Sequence, residues 1–369
     1  MDTDERGSNH HFRSLLIRVH PCPKSASENV GIKRLASAAL ILVCLLSSSC
    51  GRTVQETSRS GVMNLKVAIL PFLSYGPLFI AADEGYFAEE RLSVEFVKMN
   101  RSAQAVPLLI EGQLDVLTGT LTPALLNAIA RGARIRLVAD KGYLDPAGCD
   151  YNALVARRAL VEAGELKAPA ALRGRRIVME PNEFRGYFVE TLLRPSGLTL
   201  GDVRVVDIPD AAMMDAFEQG SVDAAATAEP WITRLLQTGK VVVWKPAQQV
   251  LPGFQIGAIL YGPNLLDDNN EAGMRFMRAY LKAVRQYKLG KTDRNQEILA
   301  RHTGLDRAVL RDACWPSFRA NGRIDIESVR GYQAWALSRG LLERRLTEGQ
   351  FWDPRFVEDA LARETPAGE

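Results

Sequence analysis

From Leu65 to Val243 the chain alternates short apolar runs with segments that open on proline, serine, threonine or aspartate and close on glycine. Runs at 65–70, 92–96, 115–117 and 135–139 have the length and patterning of strands. Between them, Pro77 opens a helix stopped at Gly85 and Ser102 caps one that ends at Gly112. Thr122 caps a third, with Pro123 at its first position and Gly132 past its end. Strands that alternate with helices pair in parallel through crossover connections, which predicts an α/β lobe. The pattern then restarts. Strands are predicted at 152–156, 176–179, 203–208, 222–226 and 241–243, with helices at 184–193 and from an Asp210 cap to Gly220; the charged stretch 157–170 lies outside them.

The two halves share punctuation. Gly112-Gln-Leu-Asp115 corresponds to Gly220-Ser-Val-Asp223, and Thr122-Pro123 with Gly132 corresponds to Glu229-Pro230 with Gly239. Any α/β unit repeats such signals, but the preserved order favours two lobes of one construction. Beyond residue 262 the periodicity is helical, at 271–287, 294–301, 307–314, 326–338 and 355–363, with Asp325 as a cap and Pro354 opening the last. Helices this few bury their apolar faces by packing on the lobes.

Length and composition admit one large core or two ordinary ones, since the chain has 369 residues, 47% of them hydrophobic. Its basic groups are interspersed with acidic ones, which gives no footprint for nucleic acid. Lys33 and Arg34 precede the apolar run 35–46, followed by Ser47, Ser48, Ser49 and Cys50. That is a secretory signal, short of the ~20 residues of a bilayer span. The cysteine resembles a bacterial lipobox, with Ser47 where leucine is usual, and is expected to carry lipid. Residues 1–29 suit no ordinary signal, and initiation at Val30 would leave one of normal proportions. Residues 51–64 read as a tether.

Cys22 and Cys44 precede the expected cleavage point, so Cys149 and Cys314 remain; in an oxidising compartment they pair, or stand as separate thiols. Past that point His302 is the single histidine. No multi-histidine metal site can be read, and no GxSxG elbow, GxxxxGK[ST] loop, HExxH helix or complete GxGxxG fingerprint is present. Binding is therefore expected rather than catalysis, with no cofactor.

Ligands of open α/β sheets meet the carboxyl ends of strands and the amino ends of helices. That rule selects five loops: Ser74, Tyr75 and Gly76; Asn100, Arg101 and Ser102; Thr118, Gly119 and Thr120; Glu180, Asn182, Glu183 and Arg185; Glu229 and Trp231. Three belong to the first lobe and two to the second, so a shared ligand lies in a cleft. Each residue has a plainer reading. The hydroxyls serve as helix caps, the aromatics as core, and Arg185 as partner of Glu180 or Glu183. Polarity is two-sided: Glu180, Glu183 and Glu229 suit an amine or ring N–H, Arg101 and Arg185 a carboxylate, sulfonate or phosphate.

Ser74-Tyr75-Gly76-Pro77, the run Ala81-Ala82-Asp83-Glu84-Gly85-Tyr86-Phe87 with Ala88-Glu89-Glu90, Leu172-Arg-Gly-Arg-Arg-Ile177 and Gln219-Gly220-Ser221-Val222-Asp223-Ala224 closely resemble the SsuA/THI5-like (NMT1-like) periplasmic solute-binding proteins of ABC importers. The resemblance runs from about residue 65 to about residue 266. It implies a type II periplasmic binding fold, in which two α/β lobes are joined by two crossover strands and C-terminal helices are added. Lobe 1 would be 65–150 with 262–369 and lobe 2 would be 151–261, with hinges near 151–156 and 255–261. Family ligands are sulfonates, nitrate-like anions and pyrimidine or thiamine-related compounds, handed to a permease with a separate ATPase subunit. The same five loops are implied as the ligand site, and a lipid-anchored monomer on the periplasmic side of the cell membrane as the working form. Arg91 departs from the pattern, since the family often has glycine there. Two alternatives stay open: a ligand sensor for a membrane signalling partner, and a THI5-like pyrimidine-synthesis enzyme, which would consume a histidine and is disfavoured by export and the remote His302.

Overall fold

The computed structural model describes residues 61–70, 72–99 and 102–364. The signal segment, Cys50 and most of the tether lie outside them. Among the described residues no helix is long and apolar enough to cross a membrane.

Ten strands form two five-stranded mixed sheets. The first takes the order β2-β1-β3-β10-β4, from β1 (Met63–Ile69), β2 (Leu92–Lys98), β3 (Val116–Thr120), β4 (Arg136–Asp140) and β10 (Gly257–Tyr261). The second takes the order β7-β6-β8-β5-β9, from β5 (Asn152–Arg157), β6 (Arg176–Val178), β7 (Arg204–Val206), β8 (Ala224–Ala228) and β9 (Val241–Pro246). In each, four strands share one direction and the strand arriving from the other lobe lies antiparallel between two of them: β10 between β3 and β4, β5 between β8 and β9. The sequence pattern predicts β4 as a parallel partner of its neighbours, whereas the strand beside it is the antiparallel, returning β10, with a single parallel bridge from Leu137 to Trp352 on its other edge. Both crossover strands are almost wholly buried and, between Asn152 and Arg157 at the ends of β5, apolar, as strands covered on both faces must be.

Helices α1 (Gly76–Asp83), α2 (Tyr86–Glu89), α3 (Ser102–Ile110) and α4 (Pro123–Ala130) belong to the first half, and α5 (Arg158–Glu162), α6 (Phe184–Leu193), α7 (Met213–Glu218) and α8 (Trp231–Gln237) to the second. Thr122 caps α4 through Leu125 N–H at 3.2 Å. Asp210 is not a cap; it opens a short 3-10 turn ahead of α7 and sends its carboxylate elsewhere. Arg91 sits at φ 55°, in the left-handed region that favours glycine.

The remaining helices are α9 (Asn270–Tyr287), α10 (Asp293–Thr303), α11 (Arg307–Asp312), α12 (Ile326–Ser338), α13 (Glu348–Phe351) and α14 (Arg355–Glu364). On α9, Phe276, Met277, Tyr280, Leu281, Val284 and Tyr287 recur at helical spacing and face the first lobe, against α1 and α14. The α12 helix reaches the second lobe. There Tyr187 of α6 packs on Tyr332 and Trp335, and Glu190 accepts hydrogen bonds from Trp335 Nε1 at 2.9 Å and Arg339 at 2.7 Å. Cys149, on the first crossing, forms a disulfide with Cys314, which follows α11.

Candidate ligand-binding cleft

A cleft of about 490 Å³ lies where the carboxyl ends of strands from both sheets meet. Its lining includes Leu70 and Phe72 after β1, Thr120 ending β3 and Lys141 after β4. From the second lobe come Glu180 after β6, Asp210 after β7, and Ala228 and Trp231 at the end of β8. This is the edge at which open α/β sheets present loops and helix amino ends. A shallower depression lined by Asn64, Lys66, Ser93, Glu95 and Asp115 opens toward the opposite ends of β1 and β2, and Asp115 is already engaged there by backbone.

The floor of the cleft is built around Lys141. The main chain leaves β4 at Asp140, whose buried carboxylate accepts hydrogen bonds from Gly142 N–H at 2.9 Å, Arg319 N–H at 2.8 Å and Gln255 Nε2 at 2.5 Å. Burial pushes the Asp140 carboxyl upward, against those hydrogen bonds and the nearby Arg319 guanidinium. With Asp140 pinned, the next side chain turns into the cleft. Lys141 is 5% exposed; its ammonium donates to Ser74 Oγ at 2.8 Å and sits 3.8 Å above the Tyr75 ring. Among the described residues no carboxylate forms an ion pair with it. Burial lowers Lys141 to about 7, opposed only by the charge of Asp140. Tyr151 lies beside Ser74, its hydroxyl pushed up to about 12 by burial. Asn152, also 5% exposed, lines the same floor, and its Nδ2 has no hydrogen-bond partner. A buried amide donor left open costs about 1–3 kcal/mol, which an acceptor on a ligand would relieve.

The second-lobe wall has the opposite sign. Gly186 lets the 180–186 loop close on α6, because a side chain there would strike the Pro181 carbonyl. That closure sets Arg185 against Asp210 in a bidentate pair of 2.7 and 2.8 Å, with Glu180 at 3.3 Å from the same guanidinium. Burial alone would lower Arg185, but the Asp210 pair outweighs it and raises the group. Two carboxylates thus share one guanidinium. Trp231 and Phe72, both half-buried, supply apolar walls, with Arg234 stacked 5.0 Å from the Trp231 ring.

Of the residues expected at the site, Ser74, Tyr75, Thr120, Glu180, Glu183, Arg185 and Trp231 line this cleft. Tyr75 does so as the support of Lys141 rather than as a ligand wall, for it is buried and its hydroxyl donates to Thr118 O at 2.6 Å. Thr118 faces away and ties β3 to β1 through Ala68 O. Gly119 is a ladder residue opposite Ala258, and Gly76 is small because a side chain would strike Tyr287. Asn182 is exposed and outside the lining. Glu229 is buried and structural: it accepts from Thr233 N–H at 3.0 Å, Thr233 Oγ1 at 2.9 Å and Cys314 N–H at 3.0 Å. Asn100 and Arg101 lie outside the described residues, and of Ser102 only the backbone is described.

Lys141, Tyr151, Asn152 and Asp210 were not anticipated. The rule that selected the five loops applies equally to the end of β4, where a lysine follows the apolar run 135–139 and precedes a glycine at φ 114°. His302 pairs with Asp83 at 2.7 Å and stacks on Phe79, outside the cleft lining. Among the described residues no group of three or more His, Cys, Asp or Glu could hold a metal ion.

Known proteins share this architecture. A putative aliphatic sulfonates-binding protein of Bacillus subtilis (strain 168) is 22% identical over 343 residues, which covers 89% of this chain and 98% of that protein. The ligand-binding component of an ABC-type import system from Staphylococcus aureus, solved with zinc bound, matches with a TM-score of 0.66 at 17% identity, over 81% of this chain and 99% of that one. The alkanesulfonate-binding protein SsuA from Xanthomonas axonopodis pv. citri, bound to MOPS, gives 0.62 at 19% identity over 79% and 99%. At these identities the structural likeness is one of fold, the two-lobed type II periplasmic-binding-protein architecture. The family model described as NMT1/THI5 like matches residues 74–288, more than half of the sequence, and the chain belongs to that family.

Proposed function

We propose that the chain is an extracytoplasmic solute-binding protein, not an enzyme. It captures a small organic molecule between lobes made of 65–150 with 262–369 and of 151–261, and passes it to an ABC permease served by a separate ATPase. Lipid on Cys50 holds it, as a monomer, beside that permease. The observation that carries this reading is the cleft floor. A buried ammonium at Lys141 without a carboxylate partner, next to the open amide of Asn152, is costly unless a solute completes it. Residues from both lobes line the cleft, so a solute touching both favours the closed arrangement by its differential affinity.

Native mass spectrometry of the purified protein, followed by denaturation and identification of released compounds, tests this. A small organic molecule bound one to one, weakened in Lys141→Met, is the expected result, with compaction on binding in solution scattering. A protein that carries nothing, binds none of a panel of sulfonates, carboxylates and pyrimidines, and scatters identically in every case would overturn it. Lipidation is tested separately by mass analysis of the mature N-terminus, where an unmodified Cys50 would remove the anchor.

A further inference from the structure

Resting on that reading, we infer that the cleft is bipolar: Lys141 Nζ and Asn152 Nδ2 seat an acidic group, Glu180 seats a cationic one, and the solute is a small amphoteric molecule. Two independent features carry this. On the floor stand two donors, each at least nine-tenths buried; among the described residues Asn152 Nδ2 has no hydrogen-bond partner, and the Lys141 ammonium meets Ser74 Oγ and the Tyr75 face. Both point to a group that accepts hydrogen bonds and carries negative charge.

On the second-lobe wall the arithmetic of charge runs the other way. Asp210 takes the Arg185 fork bidentately at 2.7 and 2.8 Å, and Glu180 reaches the same guanidinium only at 3.3 Å. Among the described residues that pair with Arg185, one cation stands against the two carboxylates of Asp210 and Glu180, which leaves a negative charge on the half-buried Glu180 at the cleft surface. Arg185 is therefore already spoken for and offers little to an anionic solute. A plain anion meets Lys141 at one end and repulsion at the other, whereas a molecule with an ammonium or protonated ring nitrogen at its second end satisfies both. Phe72 and Trp231 line the same cleft, whose volume of about 490 Å³ has room for a short carbon spacer or a ring.

Calorimetric titration of the full mature protein with 3-aminopropane-1-sulfonate and with propane-1-sulfonate decides the matter. The amino compound is expected to bind about tenfold more tightly, about 1.4 kcal/mol. Glu180→Gln should erase that difference by weakening the amino compound and tightening propane-1-sulfonate, whose repulsion it removes. Asn152→Leu, which touches neither ion pair, should weaken both compounds alike and guards against a Glu180 variant that misfolds. Equal affinity, or preference for the plain sulfonate, overturns the bipolar cleft and leaves the solute-binding reading intact. The same follows if neither sulfonate binds while native mass spectrometry recovers an uncharged heterocycle. Failure of every compound to bind overturns both.

Discussion

Asp115 and Asp223 hold the same station in the two sheets. Each follows a glycine in the left-handed region, Gly112 at φ 69° and Gly220 at φ 68°, and each exchanges two hydrogen bonds with the start of a neighbouring strand. The Asp115 carboxylate accepts from Lys66 N–H at 2.7 Å while its own N–H donates to Lys66 O; Asp223 does the same with Arg176, at 2.9 Å. The sheets repeat this correspondence strand for strand, with β1 matching β6, β2 matching β7, β3 matching β8 and the returning strands β10 and β5 matching each other. Two lobes that share a plan present their loop-bearing edges to one another, and residues from both line the one cleft.

The carboxylate of Asp223 is the better buried of the pair and also takes the Arg176 guanidinium at 2.8 and 3.1 Å. Removing it in Asp223→Ala leaves the Arg176 N–H without its acceptor, and a cost of about 1–3 kcal/mol is expected in denaturant titration. Burial by itself would raise this carboxyl, but hydrogen bonds from Arg176 outweigh burial and hold it below the usual range. A depressed acid stabilises the fold above its unfolded pKa and loses that contribution as pH falls through the folded value. The acid limb of the stability curve should therefore flatten in Asp223→Asn.

Arg91 is exposed and left-handed, with its N–H donating to Ala88 O and its carbonyl accepting from Met63 N–H. The backbone there is fixed by those two bonds, so the strain falls on the side chain. Glycine removes it, and Arg91→Gly should raise stability by about 1 kcal/mol, with Arg91→Ala giving no such gain. Thermal melting of the two variants beside the parent measures this directly.

The elements were legible because proline, glycine and capping residues mark their ends; helix Phe184–Leu193 and helix Ile326–Ser338 are where the pattern puts them. The pairing of β4 was not, because parallel and antiparallel neighbours leave the same apolar imprint on a buried strand. At the site, the loops after β1, β3, β6 and β8 could be chosen from strand ends alone. What local sequence does not carry is direction. Glu229 turns inward to Thr233 and Cys314, Thr118 turns to β1, and Asp210 reaches across to Arg185, each by tertiary contact. Lys141 was missed for a related reason, since a lysine after a strand is usually solvated and only the anchoring of Asp140 turns this one inward.

The Cys149–Cys314 disulfide closes a loop of 165 residues between the first crossing and the segment after α11, beside the Glu229 contact to Cys314 N–H. Loops of that length lose much unfolded-state entropy when closed, and reduction should cost about 2–5 kcal/mol. Melting with and without dithiothreitol, compared with a Cys149→Ser, Cys314→Ser double variant, measures the effect. The double variant should melt where the reduced parent does and ignore the reductant.

Affinity for an acidic solute should follow the charge of Lys141. Burial holds this lysine at about 7 in the empty protein, whereas an unfolded lysine titrates near 10.4. A bound anion favours the ammonium and raises that value, so binding takes up a proton once the pH exceeds about 7. Affinity is then expected to be flat below about pH 6 and to fall by about tenfold per pH unit above about pH 7. The empty protein should do the reverse. A lysine depressed in the fold contributes stability above its unfolded pKa and loses it as pH falls through about 7, so the unliganded protein gains stability as the pH rises through that window. Lys141→Met should abolish both slopes together, as measured by titration calorimetry with propane-1-sulfonate and by denaturation at matched pH. A variant that keeps the affinity slope would move the proton to another group and remove Lys141 from the acid-binding floor.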